Sequence, residues 1–212
     1  MKKSKDIFLL IPTVGILIFI FLYLMATRYY PGGSQVDKNS IGFSWQNNYW
    51  CNLLNETAMN GRQNAAKPIA MTAMFLLCVS LSFFWIIFPQ RMEATRITRL
   101  LIQISGVISM VIAFLLFTNI NHDLITDMAS FFGLMATIGI FVVLYKNRWI
   151  GLFWFGLANI LLVGLNNYVY FTKGLIIYLP VIQKISFATF LIWIACIDVN
   201  LYWSKLKVNN KY

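Results

Sequence analysis

The chain is poor in the residues on which most protein chemistry depends. One histidine, seven carboxylates and three cysteines are spread over 212 residues, and charged side chains make up 11% of them. A single imidazole excludes haem held between two histidines of one chain. With no His-Glu-x-x-His pattern and no clustered histidines, no zinc site is expected, and no other metal or cofactor has a motif here. The cysteines supply neither a Cys-x-x-Cys pair nor a disulfide framework, because Cys78 and Cys196 fall inside apolar runs and read as small core residues. Cys51 alone lies in a polar segment. The formal net charge is +10, yet no basic domain exists to hold nucleic acid. No repeat is visible, and the two halves differ in loop lengths and polar positions, which argues against an inverted-repeat transporter.

What the chain has in abundance is apolar surface: 59% of residues are hydrophobic and the mean hydropathy is +0.71, too high for a soluble domain of this size. Six runs carry it, Ile7 to Thr27, Ile69 to Pro89, Leu100 to Asn121, Met128 to Tyr145, Ile150 to Phe171 and Val181 to Tyr202. Each approaches the roughly 20 residues that cross a hydrocarbon core as helix. They are continuous, without the alternation of a barrel strand, so the fold expected is an all-α, polytopic transmembrane bundle of six helices, one integral membrane domain over residues 1–212.

Lysine and arginine are sorted between the runs. Lys2, Lys3, Lys5, Arg91, Arg96, Arg99, Lys146, Arg148, Lys205, Lys207 and Lys211 flank one side, against Arg28, Lys38, Arg62, Lys67 and Lys173 on the other. The bias predicts a cell or cytoplasmic membrane protein with both termini cytoplasmic, its inner cations held near anionic headgroups. The first run is too long for a signal peptide and no small-x-small site precedes Arg28, so a retained anchor is expected.

One connection is long, residues 28–68 between the first two runs, and the charge rule places it outside. It opens on Tyr30-Pro31-Gly32-Gly33-Ser34 and closes on Lys67-Pro68. Between them Trp45 to Asn55 can be drawn as one α-helix, with Trp45, Tyr49, Trp50, Leu53 and Leu54 on one half of the wheel and Asn47, Asn48, Cys51, Asn52 and Asn55 on the other. Such a helix either lies at headgroup depth with its amides in water or turns them toward a ligand as a lid. Asn55-Glu56-Thr57 also matches a glycosylation sequon.

Polar residues inside a membrane are costly, so their positions carry information. They gather toward the end that holds the long connection: Thr118, Asn119, Asn121 and His122 close the third run, Asp123, Asp127 and Ser130 open the fourth, and Asn166, Asn167 and Lys184 lie near the same end of the fifth and sixth. Asp123 and Asp127 are candidate counter-ions for Lys184. The competing reading has Asp127 capping a helix, Asp123 solvated and Lys184 snorkelling. His122 beside Asp123 is the one candidate general base, with Ser34, Ser130 or Cys51 as nucleophiles that no spacing selects. At the other end Gln103, Asp198 and Asn200 read as structural, with Asp198 expected near Arg96, Arg99 and Arg148, either clamped to them or serving as a proton relay. Asn159 reads as a core amide on a face with Gly151 and Asn166.

The turn Tyr30-Pro31-Gly32-Gly33-Ser34, the segment Asn47-Asn48-Tyr49-Trp50-Cys51-Asn52-Leu53-Leu54 and the pair His122-Asp123 occur in the order of a bacterial six-helix membrane family of unknown function, which the chain resembles. That family is distantly similar to the DRAM-like membrane proteins of eukaryotes. Where its pattern has Ser-Asp-Leu-Gly, this sequence has Cys51-Asn52-Leu53-Leu54, which removes an acid at Asn52. The resemblance implies a six-helix bundle with the first loop outside and, through the eukaryotic relatives, lipid handling. The sequence therefore predicts binding of a lipid or amphipathic small molecule by Asn48, Asn52, Asn119, Asn121, His122, Asp123, Asp127, Asn166, Asn167 and Lys184. The alternatives are a membrane hydrolase or transferase using His122 and Asp123, and a non-catalytic assembly partner that docks another protein through residues 28–68.

Overall fold

The computed structural model describes residues 7–115 and 122–209, and of His122, Asp123 and residues 205–209 the backbone alone. Among the described residues six helices are long and apolar enough to cross a membrane, and no strand forms. They are α1 (Ile11–Tyr29), α2 (Lys67–Arg91), α3 (Arg96–Phe114), α4 (His122–Lys146), α5 (Ile150–Phe171) and α6 (Leu179–Asn209). Short 3-10 segments, Ile7–Leu10 and Ile176–Tyr178, lead into α1 and α6.

Several helices extend beyond their apolar runs because polar residues start and stop them. α2 begins at Lys67 with Pro68 in its first turn, where a missing N–H costs nothing. α3 begins at Arg96, four residues before the run at Leu100, since the Thr95 side chain accepts the Thr98 N–H at 3.2 Å as an N-cap. α4 begins at His122, six residues before Met128. It ends in a Schellman motif, with Trp149 N–H donating to the Leu144 carbonyl at 2.9 Å and Arg148 N–H to Tyr145 at 3.1 Å. The residue that turns left-handed there is Arg148, at φ 61°, where glycine is customary.

The described residues form two compact units, the first within Met1–Leu17, Phe75–Phe155 and Trp193–Tyr212, the second within Ile18–Met74 and Gly156–Ile192. In the first, α1 meets α2 at Gly15, where an added Cβ would stand 1.8 Å from Ser80 Oγ, and α2 meets α3 at Gly106, where it would stand 2.3 Å from the Trp85 ring. Close approach over small residues is how helices associate in lipid, where burial of apolar groups provides little drive. α3 and α4 are further joined by Ser109 Oγ, which donates to the Ala129 carbonyl at 2.8 Å. Trp85, Phe84, Phe88, Ile102, Ile140, Leu144 and Trp193 form the buried centre, and Trp193 Nε1 donates to the Leu152 carbonyl at 2.7 Å. The α2–α3 and α4–α5 turns of this unit are clasped by Asn147, whose Nδ2 donates to the Glu93 carbonyl at 3.0 Å while its Oδ1 accepts the Glu93 N–H.

Candidate functional site

In the second unit, residues 30–66 link α1 to α2 with little regular structure, so their backbone groups need other partners. Gly32 and Gly33 turn the chain at positive φ in so little space that a Cβ on either would lie within 2.4 Å of backbone from residues 40 or 60. Gly33 N–H donates to Ser40 O at 2.7 Å, Asn60 N–H to Gly32 O at 3.2 Å, and Met59 N–H to the Tyr30 hydroxyl at 3.0 Å. Burial pushes the Tyr30 phenol up, which keeps it neutral.

The expected α-helix over Trp45 to Asn55 does not form. Residues 45–47 are a turn, and only Trp50–Leu54 is helical, as a 3-10 segment. The reason lies in the asparagines. Asn48 Oδ1 accepts the Ser44 N–H at 2.8 Å and Asn52 Oδ1 accepts the Tyr49 N–H at 2.7 Å, local bonds that compete with a helical ladder. Asn48 Nδ2 donates to the Gly33 carbonyl at 2.9 Å and also to Asn52 Oδ1. Asn64, which the sequence did not single out, donates through Nδ2 to the carbonyls of Asn52, Leu53 and Asn55 and accepts the Ala66 N–H. Asn48, Asn52 and Asn64 are buried, so they form an internal clasp; Asn48 and Asn52 are neither a wet rail nor a lid turned toward a ligand.

Lys184 belongs to the same cluster. It is 9% exposed, and its ammonium donates to the Asn48 carbonyl and, at 2.7 Å, to the Pro180 carbonyl, while standing 5.8 Å from the centre of the Phe43 ring. Three N–H groups thus meet two carbonyls and a π face, a full set for an ammonium. Its described partners include no carboxylate: Asp127 is exposed on α4, and the one ion pair among the described residues is Lys67 with Glu56. Phe43 continues into an aromatic cluster, with Tyr30 at 5.7 Å, Trp45 at 5.5 Å and Trp50 at 6.4 Å, and Trp50 is 4.9 Å from Tyr23. Burial pushes the Cys51 thiol up, against a weaker pull from Lys184, so it suits packing better than attack on a substrate.

Where α5 ends and α6 begins, Asn166 Nδ2 donates to Ser186 Oγ, which in turn donates to the Ile182 carbonyl at 2.6 Å. Asn166 Oδ1 and Gln183 Oε1 are buried and have no donor among the described residues, and the buried Trp50 Nε1 has no acceptor. Gln183 lies one turn before Ser186 on α6. The sequence pointed to Asn166 but not to Gln183, whose only signal was a polar residue beside Lys184 in an apolar helix. Asn167 turns the other way, exposed, with Nδ2 on the Val163 carbonyl at 3.1 Å.

Asn119 and Asn121 lie outside the described residues, as do the side chains of His122 and Asp123. Asp198 is buried in the first unit and takes its bond from Thr13 Oγ1 at 3.2 Å, together with the Thr13 N–H, and is in no ion pair with Arg96, Arg99 or Arg148. It serves the first turn of α1 as an N-cap supplied from another helix. The chain matches no family model, no curated protein and no solved structure.

Proposed function

We propose that this is a multi-pass integral membrane protein, both termini cytoplasmic and residues 30–66 outside, that binds a lipid or other amphipathic molecule at its exocytoplasmic end. The sorting of lysine and arginine supports the orientation. The binding reading rests on one observation: Asn166 and Gln183 hold buried amide oxygens without donors among the described residues, and Gln183 adjoins the buried Lys184 on α6. A buried acceptor left unpaired costs about 1–3 kcal/mol, and a ligand that brings hydroxyl or ammonium hydrogens removes that cost. The headgroup chemistry that fits is therefore donor-bearing. Asn48, Asn52 and Lys184 act in this reading as the scaffold, and Asn166 and Gln183 as the contacts. The resemblance to the six-helix family, with its distant tie to lipid handling, points the same way.

The test is retention of phosphatidylethanolamine by the purified full-length protein, followed by mass spectrometry through delipidation. Gln183→Leu is expected to lower retention about ten-fold, the worth of roughly one such hydrogen bond. If no ligand pairs with that oxygen, Gln183→Leu leaves retention unchanged and raises the melting temperature, because it removes an unpaired buried acceptor. That result would sink the reading.

A further inference from the structure

A groove of about 460 Å³ runs between α2 and α3, lined by Ile86, Gln103, Ile104, Val107 and Ile108. On α3 its lining residues fall on two neighbouring ridges of four-residue spacing, Ile104–Ile108 and Gln103–Val107, and followed toward the helix start these ridges pass through Leu100 to Arg96 and to Arg99. Gln103 does not make the groove polar, because its Nε2 is tied to the Ile86 carbonyl at 2.8 Å. The result is an apolar groove whose two ridges each lead back to an arginine in the first turn of α3.

Those arginines stand where a helix disfavours them. The first turn of α3 contains no acidic residue, and the macrodipole there opposes cations and favours an anion. Among the described residues neither Arg96 nor Arg99 is in an ion pair, and Arg99 Nε is buried without a partner. Thr95 satisfies the Thr98 N–H and the Thr95 carbonyl takes the Arg99 N–H, which leaves the Arg96 and Ile97 N–H groups at the helix start. Beside them Ile97 is 80% exposed. An anion alone would match the arginines and the N–H groups, but only an anion with an apolar chain matches the groove as well.

We propose that this groove seats one anionic phospholipid, its phosphate on Arg96, Arg99 and the first N–H groups of α3, and one acyl chain along Ile104, Val107 and Ile108. The site lies in the first unit, apart from the residues that carry the preceding proposal, and its ligand has opposite demands: acceptor oxygens instead of donor hydrogens. Charge complementarity selects the headgroup and the length of apolar wall selects a lipid over free phosphate.

Binding of phosphatidylglycerol to the full-length, delipidated protein in neutral detergent, counted by native mass spectrometry, tests the assignment. One tightly held lipid is expected. Arg99→Gln should weaken it about ten-fold, the loss of one charge-assisted contact. Ile104→Trp fills the groove without touching any charge, at a position 57% exposed, and should weaken it by a comparable factor. Lys146→Gln removes one charge from the end of α4 and should change the affinity less than about two-fold. Equal losses in Arg99→Gln and Lys146→Gln would mean diffuse attraction to a basic surface and overturn the proposal. Wild-type affinity in Ile104→Trp with competition by inorganic phosphate would leave only a phosphate site, and a change in particle mass with Ile104→Trp would assign the groove to a second copy of the chain. Either outcome also overturns it.

Discussion

The polar side chains of residues 30–66 and those of the α2–α3 and α4–α5 turns differ in what they are free to do. In the long segment Asn48, Asn52 and Asn64 are buried and bonded to backbone. In the short turns the backbone is completed by the Thr95 cap, the Asn147 clasp and the Schellman motif, and Arg99 Nε is left without a partner among the described residues. The difference follows from bookkeeping of N–H and C=O groups. A segment without helix or strand must satisfy its main chain with side chains, whereas a helix end needs only a few. A rail of asparagines is therefore better read first as demand from the main chain than as a supply of ligand contacts.

The sharpest way to break this comparison is Lys184→Met, which leaves the Asn48 carbonyl without its ammonium donor and removes the second bond to the Pro180 carbonyl. Hydrogen bonds to a charged group contribute about 1.5–3 kcal/mol each, so a loss of roughly 3 kcal/mol is expected, with residues 30–66 becoming the first site of proteolysis. Unchanged protease resistance would show that the segment holds its place without the lysine. Asn64→Asp is the next largest. It keeps the acceptor for Ala66 but removes the donor that serves three carbonyls, and about 2 kcal/mol of stability should go with it, read as a lower denaturation midpoint. The smallest effect has the opposite sign. Arg148→Gly relieves a left-handed residue and should raise stability by about 1 kcal/mol, visible as a higher melting temperature, because no backbone bond of the α4–α5 turn depends on the arginine side chain.

The sequence made the helices legible and the segment between α1 and α2 illegible, for one physical reason. A span in lipid declares itself by composition, since any charged residue in it is expensive, and the six runs therefore coincide with the six helices to within a few residues at most ends. The extension at Arg96 lies outside the apolar pattern because the Thr95 cap sets it. In residues 45–55 the wheel gave a sound amphipathic pattern, but it had no means to weigh Asn48 and Asn52 bonding to their own neighbours. Lys184 stands out as a charge within an apolar run, yet carboxylates are the partners a sequence offers to a lysine, and two main-chain carbonyls and a phenyl ring carry no letter of their own. Gln183 was invisible beside it for want of any pattern.

The bond from Lys184 to Asn48 joins residues 136 positions apart. A ribosome adding about 5–20 residues per second makes the lysine roughly 7–27 s after the asparagine. Through that interval the segment between the first two spans has no anchor from α6, and the sixth span must enter the membrane before the earliest loop can close. Completion of the far end of the chain is thus built into the folding of its beginning, and a protein truncated before α6 would display an unfastened, aromatic-rich loop that quality-control proteases can reach.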